Sequence, residues 1–296
     1  MKPAPFAYHQ PATVEEAVAT LADHEDAELM AGNQSLGIVM ANRLATPDHL
    51  IDLNGINELT YIDVTGDEIE LGALVRHREI EQSEKLREAF PVLPEAAEQI
   101  AGPAVRNRGT LGGSLGEADP AGNYPTLAVT FDATLHLVSA DGRRTVDAEE
   151  FFQGYLYTAI EPDELIERIT IDRDPYPIDR TGMAFTELKP AAQTWPTVSA
   201  AAAVSVADPA AADPVIEAAR LGLANVANVP IRVPDGEAAV TGDALTEAAL
   251  DAVDSAVDAA ADPDDELHAD PEFKTEAAAE YARRAIRLAY ERAAGD

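Results

Sequence analysis

The order of apolar and polar positions divides the chain into short strands and helices that alternate irregularly. Apolar residues at helical spacing follow Thr13 and Glu16, which predict a capping box at the start of a first helix. Alternating or continuous apolar runs predict strands at 27–31, 49–53, 61–64, 69–74, 134–140 and 164–172. Helical spacing predicts helices at 36–44, 78–90 and 93–100. This order is typical of an α+β fold.

The second half of the chain has its own pattern. A proline-containing segment at 173–182 predicts a domain boundary. Beyond it we expect strands at 183–188, 198–206 and 218–225, then alanine-rich helices at 246–260 and 275–294. Since 296 residues exceed one ordinary small core, we expect domains at 1–174, with lobes at about 1–55 and 56–174, and at 181–296.

Charge narrows the possible partners. The chain has 54 acidic and 21 basic residues, a net charge of -33, and this repels nucleic acid and anionic membranes. Scarce lysine and abundant alanine add to a composition typical of haloarchaeal proteins in a salt-rich cytoplasm, although an acidic protein of an ordinary cytoplasm stays open. The N-terminus has no apolar signal segment and no run approaches ~18 apolar residues, so we expect a soluble cytoplasmic protein without membrane insertion.

Metal and thiol chemistry receive little support. The chain has no cysteine, which excludes a disulfide, a thiolate nucleophile and a cysteine-ligated iron–sulfur cluster within it. Its six histidines show no pair at metal-ligand spacing. We interpret an isolated histidine such as His24 or His136 as a surface or strand residue, and we predict no metal site.

Two glycine-containing loops are the candidate ligand-binding elements. The first loop, residues 31–36, joins a predicted strand to a predicted helix, which suits phosphate binding by backbone N–H groups. Gly32 permits positive φ and close approach, Asn33 tolerates the left-handed region, and Ser35 can cap the helix or bind a phosphate oxygen. By itself, a plain turn is about as plausible.

The second loop, residues 110–115, lies within a long segment rich in glycine and proline. Gly112 and Gly113 allow close approach of a ligand to the backbone, and long structured loops are often functional. Thr110 and Ser114 supply hydroxyl groups, while arginines just upstream, at positions 106 and 108, can balance phosphate charge. The alternative is a surface loop with ion-paired arginines. Neither loop matches the Rossmann or Walker A sequence.

Together the loops resemble those of the flavoprotein subunit of molybdenum hydroxylases, the family of xanthine dehydrogenase and aerobic carbon monoxide dehydrogenase. That family usually has A-G-G-x-S-L in the first loop and T-I/L-G-G-N/S in the second. The resemblance continues in the same order at Leu50-Ile51-Asp52-Leu53, Pro103-x-Val105-Arg106 and Pro230-Ile231-Arg232.

The resemblance implies a two-lobed FAD-binding domain of the PCMH/VAO type, followed by a smaller α+β C-terminal domain. It implies an oxidoreductase subunit that takes electrons from two [2Fe–2S] clusters on a small subunit and passes them to an external acceptor. A molybdopterin-containing large subunit would oxidise the substrate. No catalytic side chain is expected in this chain, because the chemistry belongs to FAD.

The implied FAD contacts fall mostly in and around the two loops. They are Ala31, Gly32, Asn33, Gln34, Ser35, Leu36, Ala101, Val105, Thr110, Gly112, Gly113, Ser114, Asp119, Asn123, Leu165 and Lys189. Three of them depart from the family pattern. Asn33 replaces the second glycine, Asn123 replaces an acidic residue, and Lys189 stands in a shifted register near a usual Y-x-K pattern. Two alternatives stay open: a self-contained FAD oxidoreductase, and an assembly subunit without flavin.

Overall fold

The computed structural model describes residues 2–295, and in these residues three main sheets are each covered by helices. The strands are β1 (Ala7–His9), β2 (Ala27–Met30), β3 (His49–Asp52), β4 (Ile62–Val64), β5 (Glu68–Gly72), β6 (Thr134–Ser139), β7 (Gly142–Asp147), β8 (Phe152–Gly154), β9 (Tyr157–Thr158), β10 (Leu165–Asp172), β11 (Thr181–Leu188), β12 (Val198–Val206), β13 (Ile216–Ala224) and β14 (Ile231–Arg232).

Twelve α-helices connect and cover these strands in the described residues. They are α1 (Val14–Ala22), α2 (Leu36–Ala41), α3 (His77–Gln82), α4 (Glu84–Ala89), α5 (Val92–Gln99), α6 (Pro103–Arg106), α7 (Leu111–Glu117), α8 (Asn123–Thr130), α9 (Ala148–Phe151), α10 (Pro234–Val240), α11 (Glu247–Ala260) and α12 (Pro271–Ala293). None of the helices in this part of the chain is both long and apolar enough to span a membrane.

The first sheet is small and parallel, in the order β1-β3-β2. Helix α1 buries its apolar stripe against this sheet, and Ile51 is fully buried in that core. Thr13 caps α1 by accepting a hydrogen bond from the Glu16 backbone N–H at 3.2 Å. The Glu16 carboxylate accepts from the Ala12 N–H instead of the Thr13 N–H, so only half of the predicted capping box forms.

The second sheet is antiparallel, in the order β4-β5-β10-β6-β7, and α3 to α8 pack near it. The helix predicted at 78–90 is two helices, because Ser83 ends α3 and caps α4 by accepting from the Leu86 N–H. The segment predicted as a loop between residues 102 and 125 contains helices α6 and α7 and the start of α8. Thr110 provides the N-cap that allows α7 to form despite its three glycines.

The third sheet, in the order β11-β12-β13-β14, lies between two helical layers. Every residue of β12 is buried, and its alanines divide between the core around α12 and the core around α8. Two glycines allow close packing here: a Cβ at Gly182 would lie 1.9 Å from the Ala289 carbonyl oxygen, and one at Gly222 would lie 1.9 Å from Thr130 Oγ1. A strand packed on both faces needs small side chains, which explains its alanine content.

The histidines are not scattered as predicted. His9, His24 and His49 converge where α1 ends and β3 begins, and we call them the histidine cluster. The His24 and His49 rings stack with centroids 3.7 Å apart, and His9 Nε2 lies 2.9 Å from His49 Nδ1. His136 lies in β6, as its interpretation as a strand residue required. Residues far apart in sequence meet through strand pairing, which spacing along the chain cannot show.

Candidate functional site

The two glycine loops, although far apart in sequence, are in direct contact. A Cβ at Gly32 would lie 2.6 Å from both the Arg108 carbonyl oxygen and the Gly109 Cα, and one at Gly113 would lie 3.8 Å from the Ala31 Cβ. We call the surface where residues 31–36 meet residues 108–114 the loop junction. The close approach expected at Gly32 was that of a ligand, and the group that lies against Gly32 in the structure is the backbone of residues 108–109.

The left-handed residue of the first loop is Asn33, with φ of 57°. Gly32 is not among the positive-φ residues of the described chain, so its glycine is needed for close packing alone. Asparagine is one of the few residues that adopt this conformation at low cost. The departure from the family's second glycine therefore keeps the loop backbone intact.

The backbone donors of the two loops differ. In residues 2–295, the N–H groups of Asn33, Gln34 and Ser35 donate to no acceptor of the protein and stay available to a ligand. In the second loop, by contrast, the Gly112 N–H donates to the Ala73 carbonyl at 2.8 Å and the Gly113 N–H to Thr110 Oγ1 at 3.1 Å. The first loop thus presents donors, and the second forms a rigid wall beside it.

A network of polar side chains holds the two sides of the loop junction together. Asn54 donates to the Ala31 carbonyl at 2.8 Å, and its backbone N–H donates to Asp52 Oδ1 at 2.9 Å. The Arg76 guanidinium donates to both the Asn54 side-chain oxygen and the Arg108 carbonyl. Burial raises the pKa of Asp52, but hydrogen bonds from Tyr8 and Asn54 outweigh burial and hold that pKa below its ordinary value. The network therefore ties both loops to one ionised carboxylate.

Two arginines at the loop junction lack carboxylate partners. Arg76 and Arg108 form no ion pair in the part of the chain that the structure describes, whereas arginines such as Arg232 and Arg283 pair with several acidic groups. Burial and the neighbouring Arg108 charge lower the pKa of Arg76, which still keeps its proton at neutral pH. In a chain with a net charge of -33, unpaired guanidinium groups at one point favour an anion there.

A buried polar layer supports the second loop. The His77 ring lies against Gly109, and the His77 backbone N–H donates to the Gly109 carbonyl at 3.1 Å. Burial, with the charges of Arg76 and Arg106, lowers the pKa of His77 to about 4, so its ring is neutral. The His77 Nδ1 and Tyr124 hydroxyl are buried and have no hydrogen-bond partner among the described residues. This layer holds the second loop in place without being exposed itself.

Three of the predicted FAD contacts, Ala101, Val105 and Lys189, lie outside the loop junction. Ala101 has φ of 41° and lies two residues after Gln99, whose carbonyl accepts a hydrogen bond from Lys189. Lys189 also pairs with Glu187 at 2.5 Å, in a cleft of about 620 Å³ between β11, the end of α5 and α12. Val105, in α6, is half-buried.

Two of the other predicted contacts are held by the fold itself. The Asn123 side chain donates to the Ala96 carbonyl at 2.9 Å inside the protein, and Leu165 is buried in the core around α1. Asp119 accepts from the Ala121 N–H at 2.9 Å in the turn before α8. Near it, burial raises the pKa of Glu117, and a hydrogen bond with Ser35 of the first loop opposes that rise.

Comparison with known proteins agrees with this geometry. Residues 4–173 match the family model of the FAD binding domain in molybdopterin dehydrogenase, and residues 183–289 match that of the CO dehydrogenase flavoprotein C-terminal domain. The chain belongs to the molybdopterin dehydrogenase flavoprotein family. The predicted α+β fold, with an FAD-binding domain and a C-terminal flavoprotein domain, is confirmed.

Individual relatives cover the whole chain. The carbon monoxide dehydrogenase medium chain of Hydrogenophaga pseudoflava is 35% identical over 99% of this chain and 100% of its own. The nicotine 6-hydroxylase medium subunit of Paenarthrobacter nicotinovorans is 32% identical over 97% of this chain and 98% of its own. The solved reconstituted CO dehydrogenase from Oligotropha carboxidovorans superposes with a TM-score of 0.93 at 33% identity, over 99% of this chain and 100% of that chain.

Family membership makes this chain an oxidoreductase component whose cofactor is FAD. The loop junction fits the pyrophosphate of that cofactor. Among residues 2–295, the N–H groups of Asn33, Gln34 and Ser35 have no protein acceptor, Arg76 donates to the Arg108 carbonyl beside them, and neither Arg76 nor Arg108 has a carboxylate partner; backbone N–H and guanidinium groups are donors suited to phosphate.

Sequence reasoning missed the residues that hold the two loops together. Asp52 was noted only as part of a resemblance, and Asn54, Arg76 and His77 were not singled out. Asp52 lies near the carboxyl end of the strand predicted at 49–53, and Asn54 directly follows that strand. Polar residues at the carboxyl end of a parallel strand next to a ligand loop are a signal that could have found them.

Proposed function

We propose that this chain is the FAD-carrying electron-transfer subunit of a molybdenum hydroxylase. In this proposal electrons enter from the [2Fe–2S] clusters of a small subunit and leave to an external acceptor. The loop junction carries the proposal, because it offers an anion-binding surface within an otherwise acidic protein. The relatives named as medium chains of larger dehydrogenases support the same role.

The residues that hold FAD are proposed in two groups. The Asn33, Gln34 and Ser35 N–H groups and the Arg76 and Arg108 guanidinium groups would bind the pyrophosphate. The second loop would form a wall beside it, with Thr110, Gly112, Gly113 and Ser114 setting its shape. The cleft around Lys189, next to Ala101, would receive another part of the cofactor. When bound, FAD accepts electrons singly or in pairs, which suits transfer between one-electron clusters and a two-electron acceptor.

The chain's own residues orient the cofactor and need not move protons. Asp52, Asn54 and Arg76 would keep the loops at a fixed separation, and the neutral His77 would support the wall without adding charge. Preorganised donors of this kind stabilise a bound anion without rearrangement. We propose no catalytic acid or base on this chain.

Flavin content tests the cofactor assignment in this chain. The protein, reconstituted with FAD in high salt and passed through gel filtration, should release about one FAD per chain on acid extraction. FMN should not substitute, because it lacks the pyrophosphate. Retention of FMN but not FAD would remove the assigned role of the loop junction, and a chain without any flavin would favour an assembly subunit.

The partner assignment is tested by purification from the native host. We propose a molybdopterin-containing large subunit and a small subunit with two [2Fe–2S] clusters as the partners. Tagged protein purified in high salt should carry iron, molybdenum and FAD in a fixed ratio. A chain that is purified alone and oxidises a substrate unaided would favour a self-contained flavin oxidoreductase.

The acidic composition of the chain suits a salt-rich surrounding. We propose a halophilic cytoplasmic protein, since 54 acidic residues repel one another least at high ionic strength. The melting temperature should rise steeply from low salt to molar potassium chloride, and an unchanged value would contradict this.

We also propose the domain bounds 1–174 and 181–296, with lobes meeting near residue 55.

A further inference from the structure

The histidine cluster is a second candidate site, separate from the loop junction. His9 ends β1, His24 precedes β2, and His49 begins β3. One ring nitrogen of each lies within 4.8 Å of the corresponding nitrogens of the other two. All three side chains are half-buried, so they are ordered by their surroundings yet reachable from solvent.

Strand register brings these residues together. In the parallel sheet Ala7 and Ala27 pair with His49 from opposite sides. His9 lies two residues beyond Ala7, so it points to the same face as Ala7 and His49. His24 lies three residues before Ala27, in the turn after α1. Three segments of chain therefore deliver one imidazole each to the same point.

The contacts within the cluster indicate nitrogens with available lone pairs. His9 Nε2 and His49 Nδ1 are 2.9 Å apart, so one of the two must accept the shared proton. Three neighbouring imidazoles repel when protonated, and the neutral imidazole is the form that binds a metal.

The electrostatic setting also favours a cation. Asp23 and Glu25 flank His24, and Asp48 precedes His49; all three are exposed. Their carboxylates do not belong to the cluster, but their charge attracts a divalent ion from solution. No lysine or arginine is adjacent in sequence to any of the three histidines.

We propose that His9, His24 and His49 form a three-imidazole site for a divalent first-row transition ion of the Zn²⁺ class. Imidazole nitrogens suit this class, and three protein ligands leave the remaining coordination position to water. Tetrahedral Zn²⁺ with nitrogen ligands at 2.0–2.1 Å requires nitrogens about 3.3 Å apart. The ring nitrogens now lie between 2.9 Å and 4.8 Å apart, and the stacked His24 and His49 rings would have to turn so that their in-plane lone pairs converge on the ion.

A bound ion would fasten the end of α1 to β1 and β3. Strands β2 and β3 run from the histidine cluster toward the first loop and the Asp52–Asn54 pair. The site would therefore stabilise the sheet that carries the loop junction, at the end remote from FAD. This role does not depend on whether the chain transfers electrons.

The test uses Zn²⁺ and the full chain, treated with a chelator and kept in molar potassium chloride to suppress weak binding to carboxylates. Competition with a chromophoric chelator should show that one equivalent of Zn²⁺ binds tightly to each chain. Thermal unfolding should show that this Zn²⁺ raises the melting temperature. His24→Asn should weaken this binding at least 100-fold. His268→Asn, which changes an exposed histidine outside the cluster, should leave it unchanged.

Further readouts separate an imidazole site from general cation binding. Co²⁺ in place of Zn²⁺ should give the visible bands of a four-coordinate nitrogen site, and these should vanish in His24→Asn. Should His24→Asn fail to fold by circular dichroism, His9→Asn gives the same comparison. Many weak equivalents that are unaffected by either cluster variant would overturn the proposal, as would equal Zn²⁺ affinity in wild type and a folded variant. FAD content, measured in parallel, reports separately on the loop junction.

Discussion

The two glycine loops have similar sequences but different physical roles. The first loop contains a left-handed Asn33 and three N–H groups that have no acceptor among residues 2–295, whereas the second donates the Gly112 and Gly113 N–H groups to the protein and is backed by buried His77. In both loops a glycine allows close packing, because Gly32 lies against the backbone of Arg108 and Gly109 and Gly112 lies against Ala73. A glycine motif therefore indicates close approach, but the hydrogen bonds decide whether the loop can bind a ligand.

The largest expected effect comes from forcing the loops apart. Gly32→Ala places a Cβ 2.6 Å from two backbone atoms of the second loop, which cannot rotate away. Overpacking of this kind costs roughly 3 kcal/mol or more, and FAD should be lost during gel filtration. Gly66→Ala is the control, because a Cβ at Gly66 meets no atom within 4 Å. FAD retained equally by both variants would show that contact between the loops is not needed.

The buried layer under the second loop predicts a pH effect. The pKa of His77 is lowered to about 4 in the folded protein, against about 6.5 when unfolded. Between these values the unfolded chain binds the proton that the folded chain excludes, so stability falls as pH drops below 6.5. The expected loss is about 2–3 kcal/mol by pH 4.

Denaturant unfolding of His77→Gln at several pH values checks this effect. The variant should show a shallower loss of stability below pH 6.5 than the wild type, whatever its absolute stability. His268→Gln, at an exposed position, should follow the wild-type curve. Parallel curves for wild type and His77→Gln would show that folding does not change the pKa of His77.

The cations of the loop junction predict an effect on affinity. Arg76→Gln removes the donors to the Asn54 side chain and the Arg108 carbonyl together with one positive charge. FAD should bind about 10-fold more weakly, a loss of about 1.4 kcal/mol, as for a lost charge-assisted hydrogen bond. Fluorescence titration measures this, with Arg87→Gln, at an exposed arginine of α4 paired with Glu84, as the control. Equal weakening of riboflavin binding would argue against a phosphate contact.

The smallest expected effect tests the second loop as a structural wall. Thr110→Val removes the hydroxyl that accepts the Gly113 N–H and caps α7, which should cost about 1 kcal/mol of stability. FAD affinity should change little, because the Gly112 N–H group donates to the Ala73 carbonyl and the proposed phosphate donors lie in the first loop. Thermal unfolding and FAD titration provide the two readouts. A large loss of affinity without loss of stability would make the second loop a binding element like the first.

The fold followed closely from patterns along the chain where each element buries one face. Helix α1 and strands β3, β6 and β12 lie within a residue or two of their predicted positions. Helix α7 was not predicted, because its glycines favour a loop. The helix forms because Thr110 caps it and because its first residues donate hydrogen bonds to the Ala73 and Val75 carbonyls. Those bonds come from a segment more than thirty residues away.

The sequence by itself determined the α+β class, the two glycine loops, the unusual charge and the resemblance to a flavoprotein family. These depend on local periodicity and on residue types, which need no knowledge of distant neighbours. Only the tertiary structure decided that the loops touch, that Arg76 and Arg108 have no acidic partner among residues 2–295, and that three histidines meet at one end of a parallel sheet. Strand pairing and packing join residues far apart in sequence, so these sites arise from the register of the sheets and not from spacing along the chain.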